Sequence, residues 1–160
     1  SKLSDMAEQT TFHRVIKDPN LDLKNKDIKK VVISSGKVFY NLLEERDRRK
    51  LKNVKLLRLE QIYPFPARTL KEELGKTPNA EIVWCQEEPK NMGAWFFVDR
   101  KIEDVLLSYK AKFSRPSYAG RLEAASPATG SLSRHNREQA QLIDLALETK
   151  DKNTSKQAAE

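Results

Sequence analysis

Val31-Val32-Ile33-Ser34-Ser35-Gly36-Lys37-Val38-Phe39-Tyr40 decides the fold. Three β-branched apolar residues run into a Ser-Ser-Gly turn, the signature of a buried strand that ends in a tight loop. From Val38 the period changes. Phe39, Leu42 and Leu43 fall on one helical face and charge fills the other, which predicts a helix over 38–49. A strand that turns directly into a helix is the first half of a crossover unit.

The rest of the chain continues that alternation. Val54, Leu56, Leu57 and Leu59 mark a second strand over 53–59. Pro64 and Pro66 break the chain, and Pro66 suits the first turn of a helix through Leu70 and Leu74, with Gly75 to stop it. Ile82, Val83 and Trp84 give a third strand over 81–85. Ile102, Val105, Leu106 and Tyr109 line one face of a helix within 91–109. A Ser-, Pro-, Gly- and Ala-rich loop is expected over 114–133, then a last helix over 134–148 carrying Ala140, Ile143, Ala146 and Leu147. Residues 1–28 read as a polar linker arm from an upstream domain, 29–149 as the folded domain and 150–160 as a frayed polar tail. Strand and helix in alternation argue for an α/β fold, a parallel sheet covered by helices on both faces.

Composition bounds the function. The chain has 160 residues, 38% apolar and 33% charged, enough for one modest core under a solvated surface. No apolar run approaches the roughly 20 residues of a membrane helix. The single cysteine, Cys85, cannot make an internal disulfide, and two histidines are too few for a Cys/His-rich zinc site. Thirty basic against twenty-three acidic side chains leave a net charge of +7. That excess is scattered: Lys24, Lys26, Lys29 and Lys30 flank one loop, while Arg46, Arg48, Arg49, Lys50 and Lys52 close one helix. A nucleic-acid face concentrates its cations with aromatics among them, so a solvated basic surface or an acidic protein partner is the expectation instead.

Candidate chemistry is sparse. Ser34-Ser35-Gly36-Lys37 opens a helix and could offer amides to a phosphate. It lacks the first glycine of a Walker loop, however, and has Val38 where a magnesium-binding hydroxyl belongs, so a plain strand-to-helix turn competes. Gln86-Glu87-Glu88-Pro89 sets two carboxylates just beyond a strand, where open α/β sheets bind ligands and partners. Acid/base work is one reading and docking to arginines the other. Cys85 lies in an apolar strand and reads as a buried small hydrophobe. His135 has Ser131 and Ser133 nearby in sequence but no assignable acid, and His13 sits in the arm.

Several stretches together resemble a known family. Val32-Ile33-Ser34-Ser35-Gly36-Lys37-Val38-Phe39-Tyr40 and Arg58-Leu59-Glu60-Gln61-Ile62-Tyr63-Pro64-Phe65-Pro66 look like successive signatures of 2-oxoglutarate dehydrogenases. Trp84-Cys85-Gln86-Glu87-Glu88-Pro89-Lys90-Asn91-Met92-Gly93-Ala94-Trp95 is closer still. Tyr118-Ala119-Gly120-Arg121 and Ala125-Ser126-Pro127-Ala128-Thr129-Gly130 follow in the expected order. The arm, with Ser4-Asp5-Met6-Ala7 and Thr11-Phe12-His13-Arg14, also resembles the segment entering that enzyme's last domain.

The resemblance implies the C-terminal domain of the thiamine-diphosphate-dependent decarboxylating component, a transketolase C-terminal-domain-like three-layer sandwich with a mainly parallel sheet. The family decarboxylates 2-oxoglutarate and passes succinyl to the lipoyl arm of the dihydrolipoyl succinyltransferase. Thiamine diphosphate, magnesium and the catalytic residues belong to upstream domains, so none is carried over to this chain. Its role would be packing against those domains and within a homodimer, through Trp84, Gln86, Glu87, Glu88, Asn91, Gly93 and Trp95, with Trp95 capping this domain's own core as the competing reading. One branch binds acetyl-CoA in the segment matching Gln61 to Thr69. Gln61 and Arg68 match that branch, whereas Thr69 replaces its second arginine, and Thr11 and Arg14 its lysine and serine. Ser117 and Leu122-Glu123 also depart from the common pattern. The related 2-oxoadipate enzyme and a non-catalytic assembly module are the alternatives. Neither nucleic acid nor membrane is an expected partner, and a bacterial cytoplasm is the expected location, with a mitochondrial matrix as alternative.

Overall fold

The computed structural model describes residues 7–8, 10–20 and 24–149. The expected polar tail, and the first residues of the arm, lie outside that range. Five strands form one sheet in the order β1-β3-β2-β4-β5. They are β1 (Val15–Ile16), β2 (Lys30–Ser34), β3 (Val54–Leu59), β4 (Glu81–Pro89) and β5 (Ser117–Arg121). All neighbours are parallel except β1, which pairs antiparallel with β3 at Val15↔Leu59 and Ile16↔Arg58. The helices are α1 (Val38–Arg48), α2 (Ala67–Leu74), α3 (Trp95–Leu107) and α4 (Leu132–Leu147).

Both faces of the sheet are covered, which is why β2 and β4 carry the apolar runs Val31–Ile33 and Ile82–Cys85, while β3, Val-Lys-Leu-Leu-Arg-Leu, buries Lys55 and Arg58 as well. On one face Val31, Ile33, Leu57, Leu59, Ile82 and Trp84 pack with Leu70 and Leu74 of α2 and with Val98, Ile102, Val105 and Leu106 of α3. On the other, Val32, Leu56, Val83, Cys85 and Ala119 pack with Phe39 and Leu42 of α1 and with Leu142, Ala146 and Leu147 of α4. The result is the expected three-layer α/β sandwich. Each fully buried large side chain contributes about 1.5–3 kcal/mol relative to exposure.

Three readings of the sequence need correction. The 114–133 loop contains β5, whose Ser-Tyr-Ala-Gly-Arg sequence has no apolar run. It pairs with β4 through Val83↔Ser117, Trp84↔Tyr118 and Cys85↔Ala119, and a Cβ on Gly120 would come within 2.9 Å of the Gln86 carbonyl oxygen. The third strand extends past Cys85 to Pro89, with a register irregularity on the way, so α3 starts only at Trp95.

The arm, thirdly, is not free of the domain. Besides forming β1 it buries Val15 and Ile28, and it places Asp18 beside the sheet. The Asp18 carboxylate accepts from the Leu56 amide at 2.6 Å and pairs with Arg46 at 2.5 Å, both side chains nearly inaccessible. A charged pair this deep holds only because hydrogen bonds replace its lost water.

Two helices end in an unusual way. Lys50, just past α1, has φ 55°, and Lys110, just past α3, has φ 54°. Left-handed backbone at a helix end is ordinarily occupied by glycine, because a Cβ is strained there. Gly75, which does close α2, keeps a right-handed φ of −60°.

Candidate functional site

The end of β4 is organised by one buried amide. Gln86 follows Trp84 on the same face of the strand, and burial leaves its amide to be satisfied by protein alone. Its Oε1 accepts from the Trp84 indole at 2.9 Å and from the Trp95 backbone amide at 3.1 Å. Its Nε2 donates to the carbonyls of Met92 at 2.7 Å, Pro89 at 3.2 Å and Glu88 at 3.3 Å. One side chain therefore folds the connection from β4 to α3 over itself.

Gly93 completes the turn for two reasons. Its φ of +66° is left-handed, and a Cβ there would come within 2.9 Å of Gln86 Nε2. Trp95 then starts α3 with its ring in the domain's own core, tilted against Tyr118 at 5.2 Å between centroids. Burial pushes the Tyr118 phenol up to about 12, against the lowering effect of its bond to Gln86. The neutral hydroxyl donates to the Arg121 carbonyl at 3.0 Å.

The seven residues expected to make interface contacts thus separate into groups. Trp84, Gln86 and Trp95 are buried inside the domain, and Gly93 serves the backbone of the turn. Asn91 is exposed, but its amide pairs reciprocally with Ala124, at 3.0 Å to the carbonyl and 3.1 Å from the amide. Glu87 is half-buried and accepts from Gln139 of α4 at 3.2 Å. Of the seven, Glu88 alone presents an exposed carboxylate with no side-chain partner among the described residues.

The remaining candidates are placed as follows. Cys85 is fully buried, and desolvation, reinforced by Glu87, pushes its thiol up to about 12, which makes it inert. Ser34 is buried between Arg58 and Cys85 in register, with no hydrogen bond to its hydroxyl among the described residues. His135 does not meet a serine hydroxyl. Its Nδ1 receives the Arg121 guanidinium at 3.0 Å, while Ser131 and Ser133 bond each other at 2.9 Å. With Nδ1 accepting, the ring proton is assigned to Nε2. His13 lies exposed in the arm. Gln61 turns its amide onto the Pro64 carbonyl, and Arg68, 94% exposed, pairs with Glu72 at 3.3 Å.

A groove of about 550 Å³ lies between α4 and the 121–130 connection, lined by Arg121, Leu122, Pro127, Arg134, Leu142 and Leu145. Sequence reasoning did not find it. Its one signal was the Tyr118–Arg121 and Ala125–Gly130 stretches, which bracket the groove. Arg121 and Arg134 both reach Glu138, at 3.4 and 2.6 Å, so the groove's charges are mutually offset. Among the described residues no three His, Cys, Asp or Glu side chains converge on a metal-sized site.

A family model for the 2-oxoglutarate dehydrogenase C-terminal region matches residues 1–147. The chain is also 48% identical over 155 residues to proteins named 2-oxoglutarate dehydrogenase E1 component from Brucella anthropi, Brucella ovis and Brucella canis. The aligned part is 92% of this chain and 16% of the Brucella anthropi protein. The chain therefore spans about a sixth of the length of these relatives.

Proposed function

Because the chain belongs to the 2-oxoglutarate dehydrogenase C-terminal family, we propose that it completes a subunit that oxidatively decarboxylates 2-oxoglutarate. In that subunit the remaining domains hold thiamine diphosphate and magnesium, which supply the carbanion chemistry. Succinyl then passes to the lipoyl group of the succinyltransferase. This domain contributes no catalytic residue. It packs against the upstream domains and across a homodimer, in the cytoplasm of a bacterium.

The observation that supports this reading is the turn built on Gln86. The Gln86 amide ties its interior together, and it presents the Glu88 carboxylate beside half-buried Glu87. A carboxylate held on a turn braced in this way suits a bidentate contact from an arginine across an interface. Mixing this chain with a fragment carrying the preceding domains, then assaying 2-oxoglutarate decarboxylation with thiamine diphosphate and magnesium, tests it. Activity only in the mixture is the expected result. Equal activity and equal dimerisation without the chain would overturn the proposal. A regulatory role for Gln61 and Arg68 toward acetyl-CoA is the secondary reading, supported by the exposure of the Arg68 guanidinium. Arg68→Ala in the intact subunit is expected to abolish any response to acetyl-CoA without changing the basal rate.

A further inference from the structure

The fold gathers cations that the sequence scatters. Crossover helices return to the N-terminal end of the sheet, so the segments entering each parallel strand meet there. Backbone hydrogen bonds join them into one rim. Lys29 donates to the Asn53 carbonyl at 2.9 Å, Glu81 to Lys29 at 2.8 Å, and Lys112 to Pro78 at 3.0 Å. Six exposed lysines stand on these segments with no ion pair among the described residues: Lys24, Lys26, Lys50, Lys52, Lys110 and Lys112. Among the described residues, the carboxylates without such a pair on the same segments and the adjoining helix ends are Asp27, Asp104 and Glu148, half as many as these lysines. Elsewhere most cations are tied down; Arg48 and Arg49 hold Glu45, and Arg115 holds Asp99 and Glu103.

The two left-handed residues are both in this set. Lys50 and Lys110 keep a strained backbone at positions where glycine would be relaxed. A helix C-terminus favours a nearby cation, but a lysine one turn earlier would give the same benefit without the strain. Lysine at these two points is better explained by a use for the side chain.

We propose that this rim is a docking surface for an acidic segment of another protein chain. Lysine ammonium groups act as adaptable point charges, which suits flexible carboxylates. Nucleic acid fits less well. The neighbouring guanidinium groups are committed to acids, and the exposed aromatic ring, Phe113, already has the Lys112 ammonium 5.5 Å from its centroid, which leaves no stacking platform for a base. The surface is separate from the Gln86 turn, which lies beyond the C-terminal end of β4, and it stands whether or not that turn forms an interface.

The test is binding of a labelled poly-glutamate peptide to this chain across a salt series, beside a single-stranded oligonucleotide of matched charge. Tighter peptide binding, weakened at least about tenfold as salt rises from about 0.05 to about 0.5 M, is the expected result. Lys50→Gly with Lys110→Gly removes two charges while relieving the backbone, so the pair is expected to melt no lower than the parent yet bind the peptide several-fold more weakly. Lys37→Gln with Lys101→Gln, the same charge loss away from the rim, is expected to leave binding unchanged. The proposal is overturned by salt-insensitive or absent peptide binding. It is equally overturned by equal loss in the two double variants, or by an oligonucleotide bound as tightly as the peptide.

Discussion

The two ends of the sheet are built on opposite principles. At the C-terminal end of β4 the buried polar groups are consumed internally: the Gln86 amide meets an indole, a backbone amide and three carbonyls. At the N-terminal rim, polar groups are left over, and six lysines face water with no ion pair among the described residues. The lesson is that a motif dense in polar and aromatic residues can be structural, while plain lysines spread along the chain make the open surface. Burial decides which is which, because an inaccessible polar atom must find a partner in the protein and an exposed one need not.

The sharpest way to break this contrast is Gln86→Ala. Removing the amide strands the Trp84 indole, the Trp95 amide and several carbonyls at once, and the expected loss is about 3–5 kcal/mol, read by denaturant unfolding. A loss below about 1 kcal/mol would mean that water substitutes for the side chain and the turn is not internally held.

Gly93→Ala is expected to follow at about 2–3 kcal/mol, combining left-handed strain with the approach to Gln86. Gly36→Ala sharpens the comparison. It has φ +71° but nothing within 4 Å of where a Cβ would stand, so only the strain, about 1–2 kcal/mol, should register. Similar losses at both positions would refute the packing argument at Gly93.

Acid provides a smaller effect. Burial pushes the Glu73 carboxyl up, but Lys76, Lys17 and Lys55 together hold it below its ordinary 4.5. A lowered folded-state value stabilises above pH 4.5, and that contribution drains away as pH falls through the folded-state value. Glu73→Gln is therefore expected to flatten the acid limb of the melting-temperature profile; an unchanged limb would reassign acid sensitivity to other carboxylates. Least of all, charge reversal at Lys24 or Lys52 should move stability by under about 0.5 kcal/mol, since neither side chain has an ion-pair partner to lose among the described residues.

Much of this architecture was legible because its central strands are buried on both faces. Val31–Ile33 and the apolar positions Val54, Leu56, Leu57 and Leu59 fit a covered parallel sheet. β5 escaped because its residues answer to neighbours rather than to a period: Gly120 is small for the Gln86 carbonyl, and Ala119 for the opposite core. The Asp18–Arg46 pair was invisible because 28 positions separate its members. At the candidate site, the stretch from Trp84 to Trp95 was found, but the direction of its side chains was not. Sequence shows that a tryptophan is present and leaves open whether it faces a partner or its own core. The lysine rim was hidden for a related reason, since only the crossovers bring residues 24, 50 and 110 to one edge.

The antiparallel pairing of β1 has a mechanical consequence. Val15 and Ile16 lie along Leu59 and Arg58, the Arg14 carbonyl accepts from the Glu60 amide at 2.9 Å, and Asp18 holds the Leu56 amide and Arg46. A pull on the chain preceding β1 is therefore borne by a short strand with an ionic anchor behind it before any load reaches the core. Residues 14–18 are thus fixed against β3 at both of their ends.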